Sequence, residues 1–261
     1  MSYEQQYRPS GFTMLPPVVK NLLIINVIMY LANLAFFSRF GIELNDILGL
    51  HYPTSTKFHW YQVFTHMFMH DRVNFQHILF NMFAVWMFGY ILENYWGPRR
   101  FLIFYLITGL GAAFLQIIFT SYQLHEINVF LSNPSREAFD HIIGHYYSGQ
   151  IPPNVPVADM VQFMNNEHLV ELNRGCVGAS GALFGILTGF GMLFPNTELI
   201  MIFFPIPIKA KYFVMIYAGI ELFTGISRNP DDGVAHFAHI GGAIFGFILI
   251  KIWQRKRQHF Y

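Results

Sequence analysis

The stretch GCVGASGALFG, residues 175–185, opens an apolar run that continues to Phe194. It sets one serine, Ser180, among small residues, followed by glycines at every fourth position: Gly181, Gly185 and Gly189. A run of this length and polarity reads as a membrane-spanning helix. The glycines read as a ridge along which a second helix can approach closely. A serine in such a helix usually packs or bonds its own backbone. Whether Ser180 does more depends on what the rest of the chain brings to the same depth.

The composition supports a lipid environment. Of 261 residues, 54% are hydrophobic and only 12% charged, about half the charge of a soluble domain. The net charge of +1 and the absence of a basic patch interleaved with aromatics give no reason to expect a nucleic-acid partner. A single cysteine, Cys176, excludes an internal disulfide. The opening MSYEQQYRPSGFTMLPP has neither a signal-peptide nor a transit pattern, so no removable targeting segment is expected.

Apolar segments suited to spanning lie at 18–40, 78–96, 101–121, 176–194 and 234–253, with a shorter one at 211–227. The expected fold is therefore an all-α membrane protein, a bundle of six transmembrane helices. An N-terminal segment (1–17) precedes the membrane domain (18–255), which carries an insertion at about 122–175, and a tail (256–261) follows. The run ELIMIFFPIPIKAK (198–211) is broken by Pro205 and Pro207 and is expected to lie at an interface. With both termini inside, ten basic residues near span ends face the cytoplasm (Arg8, Lys20, Arg99, Arg100, Lys209, Lys211, Lys251, Arg255, Lys256 and Arg257). Six face outward (Arg39, Lys57, Arg72, Arg136, Arg174 and Arg228), so both termini are expected to be cytoplasmic.

This topology runs spans two, four and six in the same direction. His77 with Asn81, Ser180 and His239 then fall in first turns at one depth. Polar groups are costly in lipid, so they are expected to face one another inside the bundle. Span six repeats the small-residue ridge with Ala238, Gly242 and Gly246, and pressing the two ridges together brings Ser180 and His239 within reach. A serine needs a base to become a nucleophile, and histidine is the usual one. Acyl transfer further needs donors for an oxyanion. Asn81 offers an amide, and the start of span four offers free backbone N–H groups. Phe184, one turn after Ser180, can support the ring of His239. No acid obviously completes a triad, so the expectation is a Ser–His dyad.

The motifs GASG on span four, AHIGG on span six and HILFN on span two together resemble the rhomboid intramembrane serine proteases. The resemblance covers roughly residues 18–255. It implies Ser180 as nucleophile, His239 as general base and His77 with Asn81 as oxyanion-hole residues, with Gly178, Gly181, Gly242 and Phe184 in support. It implies transmembrane protein substrates, with helix-weakening residues near the scissile bond and a small residue before it, within a lipid bilayer. Neither a cofactor nor a metal is expected. The expected location is a prokaryotic plasma membrane.

WYQVFTHMFMH (60–70) matches the family's first outer loop, with His66 and His70, and Glu93 matches an acid near the inner end of span two. The chain departs from the family in having Tyr61 after Trp60, Phe184 where tyrosine is frequent, and two extra residues between His70 and His77.

Plainer roles are expected elsewhere. His236 reads as a loop or packing histidine, although it is the nearest rival base. His66 and His70 brace a loop rather than hold a metal. Cys176 is a small interface residue, Glu221 meets water or a partner near the outer end of span five, and KIWQRKRQ (251–258) is a positive anchor. The alternative function is a catalytically inactive relative that binds or escorts membrane helices. Such a protein has no physical need for a serine–histidine pair. A histidine-lined transporter ranks third, because the paired repeats or broken helices it requires are missing.

Overall fold

The computed structural model describes residues 14–146, 155–200, 206–227 and 234–257. Much of the N-terminal segment, Pro205, Arg228 and the end of the tail lie outside the described residues. Four described helices are long and apolar enough to cross a membrane: α1 (Pro17–Phe40), α4 (Phe75–Trp96), α5 (Pro98–Ser132) and α10 (His236–Arg257, counted to Arg255). The short α2 (Leu44–Leu48) and α3 (Gln62–Thr65) lie in the first connection. The second connection carries α6 (Arg136–Tyr146) and α7 (Val157–Asn173). The helices α8 (Ser180–Leu193) and α9 (Ala210–Ser227) complete the set, and β1 (Glu198–Leu199) pairs antiparallel with β2 (Ile208–Lys209).

The fourth expected span is shorter than its apolar run. Leu50 and Cys176 form an antiparallel bridge, and Gly178 adopts φ 129°, a conformation that only glycine takes easily. The chain therefore turns into the helix at Ser180, leaving 14 helical residues. At 1.5 Å per residue that is about 21 Å, less than the ~30 Å of bilayer hydrocarbon.

Nearly every residue from Gly181 to Gly191 is buried. A helix apolar on all sides belongs in the middle of a bundle, and α8 sits there. Its own glycines face α5. A Cβ on Gly181 would overlap Ala112, one on Gly185 would overlap Thr108, and one on Gly189 would come 3.1 Å from Phe104. The ridge of α10 presses on α8 as well, where a Cβ on Gly242 would collide with the Gly181 carbonyl and one on Gly246 would lie 3.0 Å from Gly185 Cα. The two ridges thus meet as expected, Gly242 on Gly181 and Gly246 on Gly185, while the open side of the α8 glycines also admits Ala112, Thr108 and Phe104 of α5.

Glu93 anchors the first helix. Its carboxylate accepts from the Val18 and Val19 N–H groups at 2.9 and 2.7 Å, meeting the free donors and positive end of α1. Near the other end of α10, Trp253 packs on Trp96 and Phe104, and the Arg100 guanidinium lies 4.1 Å above its ring. The insertion is a structured unit, since α5 runs on to Ser132 and packs with α6 and α7 around Ile127, Phe130, Phe139, Ile142, Met160 and Met164.

Candidate active site

Ser180 is the first residue of α8. Its position is fixed by backbone bonds to the connection between α1 and α4. Leu50 and Cys176 exchange N–H···O bonds of 2.9 and 2.8 Å, and the Gly178 N–H donates to the His66 carbonyl at 2.9 Å. The first N–H within α8 to find a helical partner is that of Leu183, bonded to Ala179 O. The amides of Ser180, Gly181 and Ala182 therefore precede the helical ladder, as at any helix start.

His77 stands opposite, in the first turn of α4. A Cβ placed on Gly178 would lie 2.9 Å from His77 Nε2 and 3.2 Å from Ser180 Oγ, so all three meet at one point. The Asp71 N–H donates to His77 Nδ1 at 3.2 Å. That nitrogen is therefore the acceptor, and a neutral His77 carries its proton on Nε2, the ring nitrogen on the Gly178 side. The two extra residues after His70 are absorbed in a turn closed by Asp71 Oδ1, which accepts from the Val73 and Asn74 N–H groups. Asn81 follows one turn later, donating one amide hydrogen to the His77 carbonyl at 2.7 Å and keeping a second N–H.

His239 lies in the first turn of α10. Its ring stacks on Phe184 with centroids 4.4 Å apart and 11° between planes. Phe184 shares the face of Ser180 one turn below it, and all three residues line one cavity. The phenyl ring expected to support His239 sits against it.

A carboxylate also reaches His239, contrary to the expectation of a bare dyad. Glu221 Oε2 on α9 lies 2.9 Å from His239 Nδ1 and 2.6 Å from His236 Nδ1. Glu221 is buried and meets partners rather than water, the second of the two alternatives expected for it. It was missed because the contact crosses from α9 to α10, where hydropathy gives no register. The spacing of His236 and His239, both in one first turn, was the available signal.

His66 and His70 brace the same connection between α1 and α4. The His70 Nε2–H donates to Asn26 Oδ1 at 2.9 Å while its ring meets His77 edge-on, and His66 Nδ1 bonds the Gln62 carbonyl at 2.9 Å. Burial lowers both, His66 to about 4 and His70 to about 3, with the nearby His77 adding to the shift at His70.

Ser180, His77, Asn81, Phe184, Glu221 and His239 line one cavity of about 1390 Å³. Phe80 and Met87 of α4 and Phe213 and Tyr217 of α9 give it an apolar wall.

The Rhomboid domain family matches residues 57–131 and 159–256. The chain belongs to the rhomboid family. It is 25% identical to an uncharacterised mitochondrial rhomboid protein of Schizosaccharomyces pombe, over 95% of this chain and 68% of that one. The rhomboid protease AarA of Providencia stuartii is 22% identical over 87% of this chain and 69% of its own. A shorter match, 31% identical over 31% of this chain and 24% of its own, is to mitochondrial rhomboid protein 1 of Saccharomyces cerevisiae. Apolar helices and family together make this rhomboid an integral membrane protein. With two relatives named as mitochondrial, the expected prokaryotic plasma membrane gains no support.

Proposed function

We propose that this rhomboid is an intramembrane serine endopeptidase that hydrolyses peptide bonds in or near transmembrane segments of other proteins. The observation that carries this reading is the convergence of three helix first turns on one cavity, with Ser180 from α8, His77 and Asn81 from α4 and His239 from α10. The short α8 begins below the membrane surface, α8 and α9 count as the fourth and fifth of six spans, and both termini face the same side.

His239, with its Nδ1 proton on Glu221, has Nε2 available to take the Ser180 hydroxyl proton. Ser180 Oγ then attacks the scissile carbonyl carbon, and its oxygen becomes an anion. The Asn81 amide, the His77 Nε2–H and the free N–H groups at the start of α8 are the donors for that anion. The Nε2 proton passes to the leaving amine, and water, deprotonated in turn by His239, hydrolyses the acyl ester. The apolar wall accommodates a substrate helix, which must unwind to present its backbone. Helix-weakening residues near the bond and a small residue before it favour this.

The test incubates purified protein in liposomes with a transmembrane substrate and compares wild type with Ser180→Ala and His239→Ala. Both variants are expected to lose cleavage while keeping their melting temperature, and the double variant is expected to be no worse than either. A fluorophosphonate should label Ser180 only when His239 is present. Turnover by a folded Ser180→Ala protein would refute the mechanism.

A further inference from the structure

We infer that Glu221 is a positioning residue for the general base: it holds the His239 ring through Nδ1 and balances the positive charge that ring acquires in turnover. This inference rests on the protease reading. Its ground is the way α9 is turned. Met215 and Phe223 lie outward, 69% and 72% exposed, while Glu221 is one of three buried residues along the helix. An acid turned inward within a membrane domain is costly unless it meets partners there. Both partners are Nδ1 atoms of histidines in the first turn of α10.

The geometry separates the two histidines. Phe184 stacks on His239, whereas His236 Nδ1 also meets Thr224 Oγ1 at 3.1 Å, one turn further along α9. His236 therefore ties the carboxylate to α10, and Glu221 passes that fixed position on to His239. The titratable groups around Glu221 are His236 and His239 from α10, Tyr217 on α9 and, beyond His239, His77 from α4. A purely structural carboxylate at the start of α10 would need only its charge near the helix N-terminus. A positioning carboxylate must accept from Nδ1.

The experiment measures kcat, KM and the pH–rate profile of wild type, Glu221→Gln and Glu221→Asp in liposomes, with melting temperature as the folding control. Loss of a buried orienting Asp costs about 10⁴-fold in kcat in the serine proteases. Stacking on Phe184 retains part of the alignment here, so Glu221→Gln should lose about 10- to 100-fold in kcat with KM within about twofold. The acid limb of its profile should move to lower pH, because a negative charge beside the base is gone. Glu221→Asp should recover part of the loss.

A second measurement needs no variant to fold at position 221. In ¹⁵N-histidine-labelled wild type, the His239 Nδ1–H, identified by its disappearance in His239→Ala, should appear as a downfield, exchange-protected proton resonance. Its absence, or wild-type kcat and pH profile in a folded Glu221→Gln protein, would overturn the inference alone. A wild type that neither cleaves nor takes a fluorophosphonate would sink the protease reading and this inference together.

Discussion

Asn81 illustrates how one residue divides its chemistry. One amide hydrogen satisfies the His77 carbonyl within α4, and the other is left for the cavity. Asn81→Ala should therefore lower kcat by about 10²–10³-fold, the usual cost of one lost oxyanion donor, with the His77 and backbone donors setting the lower end. KM and melting temperature should stay near wild type. A variant with normal kcat would remove Asn81 from the oxyanion hole. The residues placed at this site from sequence were legible because Ser180, His239 and His77 each occupy a helix first turn, with Asn81 one turn after His77, in segments whose polarity is otherwise low. Glu221 was not. Its environment depends on the rotation of α9 about its own axis, and no apolar stripe fixes that rotation when both lipid and protein accept apolar side chains.

At the scale of elements, the close approach of α8 and α10 decides whether Ser180 and His239 meet. This contact could be read from the glycine period, but the second one, of α8 with α5, could not. A four-residue repeat says that backbones come close, not which of two neighbours fills the gap. Here Gly242 and Gly246 of α10 rest on α8 backbone, while the glycines of α8 admit Ala112, Thr108 and Phe104 of α5. Even one methyl group at 242 would meet the Gly181 carbonyl. Gly242→Ala should cost about 1–3 kcal/mol as overpacking and lower kcat as well, since a shift of ~1 Å at a site costs on the order of 10²-fold. Gly219→Ala on the outer side of α9, where a Cβ meets nothing within 4 Å, should be neutral or stabilising by up to about 1 kcal/mol. Melting and turnover of the pair read the difference. A stable, active Gly242→Ala protein would mean the two helices lie further apart.

At the scale of the whole molecule, the loop between α1 and α4 acts as a scaffold for the candidate site. Its buried histidines make that scaffold sensitive to acid. His66 lends its carbonyl to Gly178 and His70 bonds Asn26 of α1, so both link the loop to the bundle while neutral. Their folded values, about 4 and about 3, lie below the ordinary 6.5. Between those limits the unfolded chain binds more protons than the folded one, so stability rises with pH. The contribution is fully present above about pH 6.5 and is lost as pH falls toward 4, at up to about 1.4 kcal/mol per pH unit for each histidine. Melting temperature in detergent should therefore fall steadily from pH 7 to pH 4. Replacing His70 with Gln, which keeps a donor for Asn26 without a titrating ring, should remove roughly half of that slope. Ser180→Ala, which changes no titrating group, should leave the slope as it is. A wild-type melting temperature flat across this range would show that the two histidines are not held neutral in the folded protein.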